Sequence, residues 1–142
     1  MSEQENIRLS DEAYAALNAY DMNRFSQYLA EDYQAEVPDV PSSLNKKQYL
    51  DYLQNYLTGF PDLHFEVRRT IAKDDTVVTH WALTGTHTGP LRAPNGATIP
   101  PTGRKTTNRG SNTLDNKNGK VVRLYSFYDL ATLMQQLGLM PG

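Results

Sequence analysis

Leu63-His64-Phe65-Glu66-Val67-Arg68-Arg69-Thr70-Ile71 is the stretch at which the chain changes its period. Leu63, Phe65, Val67 and Ile71 alternate with His64, Glu66, Arg68 and Thr70, which predicts a strand with one wet face. Lys73-Asp74-Asp75 supplies a turn, and Thr76 to His87 reads as a long second strand. Upstream the spacing is helical. Ile7 to Tyr20 predicts an Ala-rich helix with Tyr14, Leu17 and Tyr20 three apart. Asp21 is placed to cap a short second helix with Phe25, Tyr28 and Leu29 on its apolar side. Pro38 and Pro41 make Glu36 to Ser43 a loop. Asn45 opens a third helix, because Asn45 and Gln48 have capping-box spacing, with Asn in place of the usual Ser or Thr. Tyr49, Leu50, Leu53, Tyr56 and Leu57 form its apolar stripe, and Gly59-Phe60-Pro61 ends it.

Downstream, residues 89 to 103 hold three Gly and four Pro, too many for regular structure, and predict a long loop of the kind that serves as a binding loop or lid. Lys105 to Leu114 and Lys120 to Tyr128 form a hairpin around Asp115-Asn116-Lys117-Asn118-Gly119, where Asn118-Gly119 supplies the positive φ the turn needs. A last helix runs from Asp129 to about Leu137. Helices followed by an antiparallel meander predict an α+β domain with the helices on one sheet face. No repeat and no linker interrupts the 142 residues, so 1–142 reads as a single domain.

Composition removes several function classes. The net charge of −2 argues against a nucleic-acid partner, which would require a basic face. The pairs Arg68-Arg69 and Arg104-Lys105 read as solvated strand and loop positions. No apolar run approaches the roughly 20 residues that span a bilayer, so no membrane association is expected. Met1-Ser2-Glu3-Gln4-Glu5-Asn6 is polar and acidic, unlike a signal peptide, and a cytoplasmic location is the expectation. The absence of cysteine rules out disulfides, thiol nucleophiles and thiolate metal sites. His80 and His87 lie seven apart on one strand and face opposite sides, so no metal site is expected. No nucleophile elbow, phosphate loop or dinucleotide fingerprint is present. Nine Tyr, four Phe and one Trp is a tyrosine-heavy set, suited to core edges, interfaces and pockets for flat polar ligands.

Among titratable residues His87 is the foremost candidate. It sits where a strand enters the Pro/Gly loop, and imidazole titrates near neutrality. A structural role, with the ring bonded to loop backbone, is the alternative. His80, beside Trp81, reads as a sheet-face residue. Asp129 follows Tyr125, Phe127 and Tyr128 and precedes Leu130, Leu133, Met134 and Leu137 at helical spacing. It is therefore either an acid/base group or the N-cap of the last helix.

Five short pieces carry a family resemblance: Phe60-Pro61-Asp62, Gly85-Thr86-His87-Thr88-Gly89, Pro101-Thr102-Gly103, Asn118-Gly119-Lys120 and Asp129 through Gly138. In order and spacing they resemble the SnoaL-like polyketide cyclase and ester cyclase family, which shares the fold of nuclear transport factor 2. The resemblance spans roughly residues 5 to 138. It implies a cone-shaped, strongly curved antiparallel sheet with the N-terminal helices packed over its concave face, a ligand-sized cavity, no cofactor, and a homodimer formed through the outer sheet face. Family members that act as cyclases close a ring by an intramolecular aldol reaction, using an Asp on the last strand, a His on the preceding strand and an Asn near the first. Counted from the anchors, those positions fall on Ser126, Asn112 and, on or near, Ala35. A neutral serine cannot remove a proton next to a carbonyl, and Asn112 hydrogen-bonds without relaying a proton.

The resemblance thus implies a SnoaL-like enzyme working by proton transfer, in cyclisation or isomerisation of a small hydrophobic carbonyl, aromatic or polycyclic compound. His87 and Asp129 are its candidate catalytic residues, and Tyr14, Tyr33, Trp81, Asn112, Tyr125 and Ser126 its candidate ligand-binding residues. A non-catalytic small-molecule-binding protein and a dimerisation module on the same fold are the alternatives.

Overall fold

A capping box starts the first helix earlier than the apolar period suggests. In the computed structural model, which describes residues 2–93 and 95–139, helix α1 spans Glu3–Asn18. The Glu5 amide donates to Ser2 Oγ at 3.1 Å, and the Ser2 amide donates back to Glu5 Oε1. Tyr20 adopts φ 58°, so the helix ends short of its expected limit. Met1, Pro94 inside the expected loop and residues 140–142 lie outside the described residues.

Asp21 caps α2, Met22–Ser26, by accepting from the Arg24 amide. Leu29, expected on that helix, instead opens strand β1, Leu29–Glu36. This strand is hidden from periodicity because Glu31, between buried Leu29 and Tyr33 on the same parity, is an exposed charge; its pairing register with β8 also shifts between Leu29 and Gln34. Strand β2, Leu44–Asn45, pairs with β1 and leads into α3, Lys46–Gly59. The Asn45–Gln48 capping box is complete, both amides finding the other side chain at 2.9 Å.

Strands β3, His64–Lys73, and β4, Thr76–Thr86, form the first hairpin. The expected loop carries a two-residue ladder of its own, β5 at Leu91–Arg92 and β6 at Thr98–Ile99. Strands β7, Lys105–Lys117, and β8, Lys120–Tyr128, turn at Asn118 and Gly119, which both have positive φ. Helix α4, Leu130–Gln136, closes the chain.

The sheet order is β2-β1-β8-β7-β4-β3. One pairing departs from the expected antiparallel sheet: β1 and β8, the first and last long strands in the chain, run parallel. Register shifts at Val67/Arg69 and Asp115/Asn116, besides the one in β1, curve the sheet. Helix α1 packs on β3 and β4, and α3 on β1. Their main core joins Leu9, Leu17, Phe25, Tyr33, Tyr49, Trp81 and Leu124. A smaller core of Phe60, Leu63, Leu91, Leu133 and Leu137 lies beneath the 89–103 segment.

Gly110 of β7 faces Trp81 of β4 across the ladder. A Cβ on Gly110 would lie 2.4 Å from the indole Cζ2, so only glycine lets the ring lie over the strand.

A tyrosine-walled cavity as candidate functional site

Between α3 and the sheet lies a narrow cavity of about 70 Å3. Helix α3 contributes Tyr49, Tyr52, Leu53 and Tyr56; Phe60 follows at its end. Phe65, Trp81 and Leu83 come from β3 and β4, Thr106, Asn108 and Asn112 from β7, Ser126 and Tyr128 from β8. Its volume is roughly that of two waters, well below the roughly 300 Å3 of a typical ligand pocket. A ring-sized molecule fits only if wall side chains rotate.

The polar part of the wall comes from an unusual strand. The inward positions of β7 are Thr106, Asn108, Asn112, Leu114 and Asn116, all buried and all but one polar. Two of the three asparagines act as clamps. Asn116 donates to Asn6 Oδ1 at 3.2 Å, holding α1. Asn108 donates to the Asp129 carbonyl at 3.0 Å, holding the start of α4. Asn112 differs. Its Nδ2 donates to the Tyr14 hydroxyl at 2.8 Å, and that hydroxyl lies 2.7 Å from Thr79 Oγ1. Its Oδ1 is buried with no hydrogen-bond partner, as is that of Asn116, but of the two only Asn112 lines the cavity. Trp81 Nε1, in the same wall, is likewise buried and unpartnered. Thr79, Asn112 and Ser126 are register partners across β4, β7 and β8, so they form one row. Burial pushes the Tyr14 phenol up to about 12, against the pull of its bonds to Thr79 and Asn112.

At the other end of the cavity three tyrosines meet one carboxylate. Tyr52 donates to Asp39 Oδ1 at 2.8 Å and Tyr56 to Asp39 Oδ2 at 2.7 Å. The Tyr128 hydroxyl lies 2.8 Å from that of Tyr52 and 3.2 Å from that of Tyr56. Burial first, then the charges of their neighbours, holds all three phenols far above their ordinary value, so they stay protonated. Asp39 itself belongs to an outer cleft of about 260 Å3, which Tyr52 also lines together with Gln48, Asp51, Asn55 and Arg92.

The residues singled out in the sequence divide into two groups. Trp81, Asn112 and Ser126 line the cavity. Tyr14 and Tyr33 line a smaller void of about 30 Å3 beneath it, which shares Tyr49 and Asn112. The other three lie elsewhere. Tyr125 pairs with Thr113 one position along β8 from Ser126, on the opposite sheet face. Asp129 caps α4 by accepting from the amide and hydroxyl of Thr132, bonds that hold its carboxyl below the usual range. It borders the outer sheet face beside Arg109 and Phe127.

His87 is fully buried and stacks on Phe60 at 5.2 Å, and Phe60, not His87, forms the cavity wall. The Thr102 amide donates to His87 Nδ1 at 3.3 Å, and Thr102 Oγ1 lies 3.0 Å from it. An Nδ1 that accepts from an amide carries no proton, so the ring is the neutral Nε2–H tautomer. Its Nε2 is buried without a partner. Burial lowers the imidazole pKa, opposed by the Gly89 backbone.

Sequence reading missed Tyr52, Tyr128 and Asp39. The spacing Tyr49, Tyr52, Tyr56 puts three phenols on one face of a helix, and buried hydroxyls require partners, which was the available signal. Among the described residues no three His, Asp or Glu side chains converge as metal ligands do. No helix among them is long and apolar enough to cross a membrane.

A family model for SnoaL-like polyketide cyclases matches residues 8–137. The chain belongs to the SnoaL-like polyketide cyclase family. Solved structures agree in fold across nearly the whole SnoaL-like chain. AclR from Streptomyces galilaeus, provisionally described as a hydroxylase, is 26% identical with a TM-score of 0.86, over 99% of this chain and 89% of its own. A SnoaL-like protein from Jannaschia sp. CCS1, provisionally described as a polyketide cyclase, is 20% identical with a TM-score of 0.82, over 98% and 95% of the two chains. IdmH from Streptomyces antibioticus, with the same provisional description, is 23% identical with a TM-score of 0.79, over 94% and 98%. No curated protein matches the SnoaL-like chain.

Proposed function

We propose that this SnoaL-like protein is a cofactor-independent enzyme that binds a flat, mostly apolar carbonyl compound in the tyrosine-walled cavity and rearranges it by proton transfer, in a cyclisation or isomerisation. One observation carries the reading. In a wall made mainly of aromatic and aliphatic side chains, with Thr106, Asn108 and Ser126 as its other short polar residues, the Asn112 acceptor and the Trp81 donor are buried with no protein partner. Unpaired buried polar groups cost about 1–3 kcal/mol each, so a ligand that pairs them gains from groups the protein leaves unsatisfied. A ketone oxygen suits the indole N–H, and a hydroxyl or enol suits the amide oxygen. The proposal includes a homodimer through the outer sheet face, where Phe127 is 67% exposed near His80 and Arg109.

A thermal-shift screen against steroids, anthraquinones, polyketide-like aromatics and terpenoids tests the reading. A ligand at 100 times its dissociation constant stabilises by about 2.7 kcal/mol. The expected result is a hit that loses affinity in Asn112→Ala and in Trp81→Phe. Failure of every class to raise Tm would count against a ligand site. One observation favours a second reading, a binding protein without catalysis: neither Asn112 nor Ser126, adjacent in the wall, can take up a proton as a base at neutral pH. Hits that bind and emerge chemically unchanged would establish that reading.

A further inference from the structure

We infer that the chain Tyr128–Tyr52–Asp39, with Tyr56 as its second branch, is a proton link between the inner cavity and the outer cleft, and that Tyr128 is the acid/base group that meets the carbonyl compound. The inference rests on the proposed ligand site and adds the group that handles the proton there.

Hydrogen counting shows why. Tyr52 and Tyr56 each give their one proton to a different oxygen of Asp39. The Tyr128 hydroxyl can therefore donate only onward, to the oxygen of Tyr52 or Tyr56. Every O–H then points toward Asp39, and the lone pairs of Tyr128 are left for whatever occupies the cavity it lines. Three residues link the two compartments in sequence. Tyr128 lines the inner cavity but not the outer cleft, Asp39 lines the outer cleft but not the cavity, and Tyr52 lines both. Neither compartment is lined by His87 or Asp129.

Tyr128 oxygen takes a proton from the carbon next to the substrate carbonyl while its own proton passes to Tyr52 oxygen and the Tyr52 proton passes to Asp39 Oδ1. The electron pair of the broken C–H bond becomes the carbon–carbon double bond of an enolate, and the carbonyl π pair moves onto oxygen, which the Trp81 N–H receives. Asp39 ends as the neutral acid. Reversal of the same relay returns a proton to the same carbon, or to another in an isomerisation. Because Asp39 borders the outer cleft, the proton it holds exchanges with solvent before it returns.

The test uses β-tetralone, a flat bicyclic ketone with an enolisable position, in heavy water. Proton NMR follows deuterium entering next to the carbonyl, and quenching of Trp81, the one tryptophan of the chain, follows binding. The expected result is exchange above the buffer rate that falls at least about 100-fold at saturation in Asp39→Asn and in Tyr128→Phe, with the half-saturating concentration unchanged within about threefold. Melting curves check that both variants fold; Tyr56→Phe, which leaves the Tyr52 branch intact, is expected to lose less than tenfold. Binding without exchange, or exchange that survives both Asp39→Asn and Tyr128→Phe, would overturn the inference alone. Absence of β-tetralone binding by the wild type would overturn the ligand-site reading and the inference with it.

Discussion

Two ends of the molecule treat polar groups in opposite ways. At one end lie the recognisable motifs. Asp62 accepts from the Thr86 amide and hydroxyl at 2.7 and 2.9 Å, Thr102 holds the His87 ring, and the backbones of His87 and residues 103–104 pair in both directions. Thus Phe60-Pro61-Asp62, Gly85-Thr86-His87-Thr88-Gly89 and Pro101-Thr102-Gly103 form one clip that seats the 89–103 segment on the end of α3. At the other end three phenols and an unpaired amide border a cavity, two of the phenols bond a carboxylate outside it, and none of these groups belongs to a motif. The difference teaches that the sequence pieces most easily read here are those that close the fold, while the groups suited to chemistry sit on ordinary helix and strand positions.

Phe60 is where the two ends touch, since it lines the cavity and stacks on His87. Phe60→Ala is expected to give the largest effect, about 3–5 kcal/mol of lost stability in urea unfolding, because a fully buried ring is removed from between two packed regions. It should also open a path from the cavity to His87. A loss under about 1 kcal/mol would mean that the two ends are not mechanically joined through this ring.

Tyr14→Phe tests the cavity end alone. The change keeps the ring and deletes the hydroxyl between Thr79 and Asn112. An expected loss of about 1–3 kcal/mol follows from leaving a buried amide group unpartnered. With its anchor gone the amide is free to turn, so ligand affinity should change as well, which titration of Trp81 fluorescence would detect.

Strand pattern and cap chemistry made most of the fold legible: the β3–β4 hairpin, the Asn118-Gly119 turn and the Asn45 cap follow from local rules that tertiary contacts only reinforce. Strand β1 was hidden because the charged Glu31 interrupts its inward set of Leu29, Tyr33 and Ala35, and its parallel pairing with β8 is a long-range fact that no local pattern encodes. The site was half legible. Asn112 and Ser126 were reached through family spacing, and the cavity wall holds both. Asp39 was not, since a carboxylate beside Pro38 in a loop reads as solvated unless the three phenols above it are known. His87 drew attention by its chemistry, yet its position at a strand end carries it into the clip.

The pH dependence separates the ends further. The folded His87 pKa is lowered, so the neutral ring is favoured in the folded state. The stability this provides is fully present above the unfolded imidazole value of about 6.5 and is lost as pH falls through the lower folded value. Asp62, held low chiefly by the Thr86 amide, acts in the same direction but only below the ordinary carboxylate value. Wild-type Tm is expected to decline from pH 7 to 5, and His87→Gln to flatten that decline without changing ligand affinity. A variant that loses ligand binding in proportion would place His87 with the cavity instead.

The smallest effect comes from comparing two hydroxyls. Thr102 Oγ1 sits between His87 Nδ1 and the Arg104 amide, so Thr102→Val removes satisfied bonds within the clip and should cost about 1 kcal/mol. Ser126 is buried where Thr102 is exposed, and it borders the cavity; Ser126→Ala exchanges a polar wall atom for an apolar one of similar size, with an expected change within about 0.5 kcal/mol. The order should reverse when a ligand is present. Thr102→Val would leave its dissociation constant unchanged, whereas Ser126→Ala would weaken a ligand whose polar edge lies against the Asn112–Ser126 row and strengthen one that presents only carbon there. Equal effects of the two substitutions on both stability and binding would mean that the clip and the cavity act as one unit.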